Sequence, residues 1–188
     1  MRAFIAMELS DKMRNELHRL QEKLKEESRD IKWVKPENIH LTLKFLGEID
    51  DERIETVKAA LGAISSRNQS FEISLFKLGA FPGLDDPRVI WVGIDKSCSL
   101  VESIALSIEK DLGEKGFPPE ERAFSAHLTL GRVKSGRNRS DLKNKLLSIE
   151  VGQETALVDR ITLFRSTLTP EGPIYAEIAH FNLERGTK

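Results

Sequence analysis

The chain carries a single cysteine, Cys98, among 188 residues. That excludes an internal disulfide and a cysteine-based zinc site. The opening stretch lacks the long apolar run of a signal peptide, and no segment is apolar for long enough to span a bilayer. The expectation is a cytoplasmic protein with no membrane partner. A strong charge of either sign is also missing. Twenty-nine Lys and Arg stand against 30 Asp and Glu, for a net charge of −1. A nucleic-acid site, if there is one, must therefore be local. What remains is an ordinary globular composition, 39% hydrophobic and 31% charged. The length suits one domain of two lobes that buries roughly 70% of its unfolded surface.

Against this plain background one tetrapeptide occurs twice. His40-Leu41-Thr42-Leu43 returns unchanged as His127-Leu128-Thr129-Leu130. Each copy alternates a polar residue with leucine, the period of a half-buried strand. The leucines enter a core, and His and Thr share the other face. The two motif strands are expected at 39–46 and 124–131.

The surroundings repeat a plan. Arg2–Glu8 reads as a strand. Ser10 caps a helix that carries Leu9, Met13, Leu17, Leu20 and Leu24 on one line up to about Glu27. Ile31–Val34 is a short strand. Asp50 or Asp51 caps a second helix with Ile54, Val57, Leu61 and Ile64 in register, followed by a strand over Phe71–Phe76. Gly79–Pro87 is rich in turn residues and reads as a loop. Val89–Ile94 is a strand, and a third helix aligns Leu100, Ile104, Ile108 and Leu112. After the second motif come a short helix at Asp141–Leu147 and two closing strands, Ala156–Phe164 and Pro173–Leu183. Strand, helix, strand, motif, used twice, predicts an α+β fold. Two similar antiparallel-sheet lobes with outer helices flank a central cleft, related by a pseudo-two-fold axis, in a single bilobal domain over 1–188 with one motif strand per lobe.

Two histidines facing one cleft can divide acid–base work, since an imidazole both gives and takes protons near neutrality. One ring protonates a leaving oxygen while the other removes a proton from the attacking group. The threonine hydroxyls beside them can donate hydrogen bonds to phosphate oxygens. The same cleft could serve a non-catalytic protein that binds RNA ends or cyclic nucleotides. A two-histidine metal site is the weaker alternative, because no Asp, Glu or Cys stands at ligand spacing and a metal has no need of the threonines. His18 and His180 read as structural or solvent-facing. Arg132 and Lys44 follow the motifs and are candidate phosphate contacts. Strict alternation puts Arg132 on the wrong face unless a bulge at Gly131 re-aims it. Phe45, Trp33 and Phe81 are candidate base-stacking residues. Six basic residues between Arg132 and Lys145 could follow an RNA backbone.

The paired His-x-Thr-x motifs resemble the two-histidine (2H) phosphoesterases. Arg2-Ala3-Phe4-Ile5-Ala6, Trp33-Val34, Glu37-Asn38, Lys44-Phe45-Leu46-Gly47, Gly79-Ala80-Phe81-Pro82, Val89-Ile90-Trp91 and Gly131-Arg132 are similar to the branch of RNA 2′,3′-cyclic phosphodiesterases, also called 2′-5′ RNA ligases. The resemblance implies metal- and cofactor-free hydrolysis of a 2′,3′-cyclic phosphate to a 2′-phosphomonoester. Ligation through a 2′-5′ linkage is implied as a reversible side capacity. It implies that His40 is the proton donor and His127 the acceptor, with Thr42 and Thr129 on the phosphate. The implied partners are RNA ends bearing the cyclic phosphate, tRNA fragments included. A monomer suffices for this chemistry.

Overall fold

A computed structural model describes residues 1–26, 30–134 and 139–186. The chain runs β1 (Arg2–Met7), α1 (Asp11–Lys25), β2 (Ile31–Trp33), a 3-10 turn (Pro36–Asn38), β3 (Leu41–Glu48), α2 (Asp51–Ser65), β4 (Phe71–Phe81), β5 (Val89–Ile94), α3 (Cys98–Gly113), β6 (His127–Val133), α4 (Arg139–Ser148), β7 (Thr155–Val158), β8 (Arg160–Thr169) and β9 (Gly172–Asn182). The helix starts follow their capping chemistry. Ser10 accepts the Met13 amide and Asp50 the Arg53 amide, so each satisfies an N–H that the first turn would leave orphaned. α1 buries Met13, Leu17, Leu20 and Leu24 on one face.

The strands form one nine-stranded sheet in the order β7-β4-β5-β6-β3-β1-β8-β9, with β2 added beside β6. Counted outward from the middle, β6-β5-β4-β7 mirrors β3-β1-β8-β9. Helices α1 and α4 pack on the first wing, and α2 and α3 on the second. This is the expected bilobal α+β architecture, with the pseudo-two-fold between β3 and β6. The lobes are not the two halves of the chain, however. β4 and β5 come from the N-terminal half yet complete the lobe of the second motif. β8 and β9 come from the C-terminal end and complete the lobe of the first. A repeat read along the sequence shows the order of elements but not their pairing partners.

Several expectations change. The segment expected as one strand over Ala156–Phe164 is two strands that break at Asp159, a residue type disfavoured in strands. β7 pairs with β4 toward one end of the sheet, and β8 pairs with β1 toward the other. Gly79–Phe81, expected in a loop, belongs to β4. Glycine is required there because the Trp91 ring lies across it: a Cβ at Gly79 would collide with that ring. Leu100, expected on the buried line of α3, is exposed, and Val101, Ile104, Ala105, Ile108 and Leu112 form the buried face.

A buried polar residue locks α1 to the second motif strand. Gln21 is only 1% exposed. Its amide donates to the carbonyls of Val34 (2.7 Å) and Leu130 (2.9 Å). Leu130 is skipped in the β5–β6 register, which passes from Ile90↔Gly131 to Trp91↔Thr129. The bulge therefore falls one residue before Gly131, and it turns Arg132 onto the face that carries His127 and Thr129. Gln21→Leu is expected to leave the Val34 carbonyl buried and unpaired. That should cost about 1–3 kcal/mol in denaturant unfolding, together with weakened protection of the β6 amides in hydrogen exchange. Unchanged stability would show that the amide is dispensable.

Candidate active site

β3 and β6 lie side by side and antiparallel, with Leu41 opposite Leu128. One step along either strand then sets Thr42 across from His127 and His40 across from Thr129. The two motifs are reciprocal, each histidine beside the other's threonine, and cross-strand neighbours of this kind stand about 5 Å apart at Cβ. Leu41, Leu43, Leu128 and Leu130 are all buried on the core side. His40 immediately precedes β3 and His127 opens β6, so both rings sit where the strands enter the sheet.

His127 Nδ1 is 2.7 Å from the carbonyl oxygen of Ser125. A carbonyl only accepts, so Nδ1 carries the hydrogen and Nε2 keeps its lone pair. Phe81 meets the ring edge-on at 4.9 Å, and Trp91 lies 6.4 Å away. Burial lowers the proton affinity of His127 and the Arg132 charge lowers it further, while the Ser125 carbonyl opposes both.

His40 is enclosed more deeply. Its ring stacks on Phe4 at 4.7 Å, meets the edge of Tyr175 at 5.2 Å and lies 6.3 Å from Phe164. Burial pulls its pKa from 6.5 down to about 4, and a backbone hydrogen bond to Asn38 acts in the opposite direction. The Asn38 side chain in turn donates to the Pro173 carbonyl at 2.9 Å. The β8–β9 hairpin, which brings Tyr175, is thus tied to the turn that holds His40. Tyr175 is a site neighbour that the sequence reading missed, because its proximity comes from the far end of the chain.

A cleft of about 590 Å³ opens beside the motifs, lined by Thr42, His127, Thr129 and Arg132. Phe45, 59% exposed, and Phe81 form part of its apolar wall with Leu106 of α3. The segment from Glu120 to Ser125 closes the far side. His40 stands beside this cleft, next to Thr129, rather than in its wall. Lys44 does line the cleft, but its ammonium is held by Glu109 at 2.6 Å and the Pro118 carbonyl at 3.0 Å. Trp33 requires a correction. It pairs with Gly131 and packs over it on the face away from the cleft, partly buried against the core, so it does not stack a base in this cleft. His18 and His180 form surface pairs with Glu22 and Glu177. Among the described residues no three His, Cys, Asp or Glu side chains gather as metal ligands, and no helix is long and apolar enough to cross a membrane.

This geometry has counterparts. The sequence model of the family described as LigT like Phosphoesterase matches the chain twice, over 7–91 and 92–175. The RNA 2′,3′-cyclic phosphodiesterase of Methanothermobacter thermautotrophicus is 36% identical over 185 residues, 97% of this chain and 98% of the relative. The protein of the same name from Methanocaldococcus jannaschii is 38% identical over 181 residues, covering 95% and 98%. The crystal structure of TT0787 from Thermus thermophilus superposes over 100% of both chains with a TM-score of 0.79 at 29% identity.

The enclosure of His40 has a consequence for stability. Between pH 6.5 and about 4 the unfolded chain takes up a proton at this position and the folded chain does not. The favourable contribution is therefore full above pH 6.5 and is lost as pH falls toward 4, up to about 3 kcal/mol. His40→Phe keeps an aromatic ring in the cage without titrating. Denaturant unfolding from pH 7 to 4 should show wild type losing about 3 kcal/mol more than this variant. Parallel losses would mean that the ring is not held neutral.

Proposed function

The chain belongs to the LigT-like phosphoesterases, and from that premise we propose that it hydrolyses RNA 2′,3′-cyclic phosphate ends to 2′-phosphomonoesters. The acid–base pair is His40 and His127, and no metal takes part. The observation that carries this reading is the reciprocal register of the two motifs, which brings both His-Thr pairs to adjoining positions on one face. The names of the full-length relatives support the substrate class.

In the proposed step the His127 Nε2 lone pair takes a proton from water as that water attacks phosphorus. The bond to the 3′-oxygen breaks, and His40 supplies the proton that this oxygen needs. Thr42 and Thr129 donate hydrogen bonds to the non-bridging oxygens, where charge accumulates. Arg132 adds a cation on the same face, and Phe45 offers an aromatic surface to the base. With an RNA 5′-hydroxyl in place of water, the same path forms a 2′-5′ linkage, and its reverse cleaves one.

One observation favours the rival reading of a binding protein: His40 is neutral in the free protein at pH 7. An arriving phosphate anion reverses that preference by giving the imidazolium a counter-charge inside the apolar cage. Turnover separates the two readings. With chelator present, wild type is expected to convert a 2′,3′-cyclic mononucleotide to the 2′-phosphate. His40→Ala and His127→Ala should each lose about 10²–10⁴ in kcat/KM while keeping the circular dichroism of the fold. Binding without product, or a 3′-phosphate product, overturns the proposal.

The pH profile follows from the same burial. One ring must be charged and the other neutral, and both have pKa values below 6.5 in the free protein. The maximum of kcat/KM therefore lies below pH 6.5, and the rate falls as pH rises through neutrality, because the donor is unprotonated there. A maximum above pH 7 would contradict the depressed proton affinities.

A further inference from the structure

The Lys44 side chain is 2% exposed, and the proposed chemistry leaves it without a role. It is the centre of four hydrogen bonds that converge on the cleft wall. Lys44 Nζ donates to Glu109 Oε2 of α3 and to the Pro118 carbonyl. Glu109 Oε1 accepts the Glu120 amide at 2.9 Å, and Glu120 Oε1 accepts the Phe45 amide at 3.2 Å. The path runs from β3 to α3, onto the segment after α3, and back to β3. That segment begins at Phe117, which is buried and capped by the Arg53 guanidinium 4.9 Å from its ring. It continues through Arg122 and Phe124 in the cleft wall and ends at Ser125, whose carbonyl orients His127.

We propose that Lys44, Glu109 and Glu120 form a clamp that fixes the 118–125 strap, and through the Ser125 carbonyl fixes the orientation of His127 in the opposite lobe. Lys44 is a positioning residue and not a phosphate contact. Its ammonium is already engaged by a carboxylate and a carbonyl, and it is buried in the strand that bears the first motif. The clamp lets β3, in one lobe, set the geometry of the histidine in the other. It also shapes the cleft, because the strap supplies the wall facing Phe45. The inference rests on the proposed hydrolase reading for its kinetic consequence and on geometry alone for the rest.

The test uses Lys44→Met and, at the protein surface, Glu120→Ala, which cuts the tie to β3 without touching the buried pair. Two readouts need no activity. Trypsin should cut after Arg122 faster in both variants than in wild type. NMR titration should show a shifted His127 pKa in both, because the strap sets both the burial of the ring and its hydrogen bond to the Ser125 carbonyl. Kinetically, kcat for a 2′,3′-cyclic mononucleotide should fall roughly 10–100-fold in Lys44→Met, with a smaller change in KM, and the pH profile of kcat/KM should move with the His127 pKa. Unchanged cleavage and His127 titration in both variants would overturn the clamp. So would a Lys44→Met defect confined to KM with Glu120→Ala at wild-type behaviour, which would make Lys44 a substrate contact. If wild type has no turnover, the hydrolase reading fails, and the cleavage and titration results still decide the clamp.

Discussion

Everything in the cleft depends on the pairing of β3 with β6. Both strands carry the same alternation, so an antiparallel register centred on Leu41 and Leu128 makes the two motifs reciprocal. Each histidine then faces the other's threonine. The leucines enforce that register. All four motif leucines are buried, and a slip of one strand by one residue would send its two leucines outward and drive its imidazole and hydroxyl into the core. The apolar half of the motif specifies the geometry and the polar half uses it. This explains why the tetrapeptide is duplicated whole and not only at its polar positions.

Reciprocal placement does not make the two rings equal. His40 is packed by Phe4 and Tyr175 with its pKa pulled to about 4, while His127 keeps contact with the open cleft and with the field of Arg132. When two titratable groups have environments that separate their proton affinities, they take different roles. A charged ring in an apolar cage is a strong acid, ready to release its proton when the bond to the leaving oxygen breaks. A neutral ring with Nδ1–H fixed by a carbonyl presents one lone pair in one direction. The donor role of His40 and the acceptor role of His127 belong to the proposed mechanism, and these environments are what support them. In that mechanism the aromatic packing around His40 would act through desolvation.

The local features were legible in the sequence because local physics produces them. Ser10 and Asp50 cap where expected, and the alternation of His, Leu, Thr and Leu places every side chain on its observed face. The expected re-aiming of Arg132 occurs, through a bulge at Leu130 next to the suspected glycine. The failures share one cause, dependence on partners distant in the chain. Trp33 looks like a stacking aromatic until β2 is found beside Gly131, where its ring fills the space a side chain would take. Nothing local reveals that Glu109, 65 residues on, holds the Lys44 ammonium. Gln21 sits on an apolar helical face, and nothing local reveals the two carbonyls it satisfies. Tyr175 reaches His40 only because β8 crosses to β1. Periodicity reports the face a side chain occupies and is silent about what covers that face.

Charge placement bears on how much of an RNA this cleft can recognise. The basic run after the second motif was expected to follow a phosphate backbone, yet Lys143 is held by Asp85 at 2.5 Å and Lys145 pairs with Glu26 at 3.9 Å, and Arg137 lies outside the described residues. Lys44 is committed to Glu109. Lysines already paired with carboxylates release fewer counterions on binding, and counterion release is what makes long-strand binding tight and strongly salt-dependent. The cleft itself has the volume of a small-ligand site, with Phe45, Leu106 and Phe81 as apolar wall and Arg132 as the cation on the motif face. In the proposed function such a site would draw its affinity from one anionic phosphorus centre and the adjoining base. That would suit recognition of an RNA terminus, as the proposed reaction on cyclic phosphate ends requires.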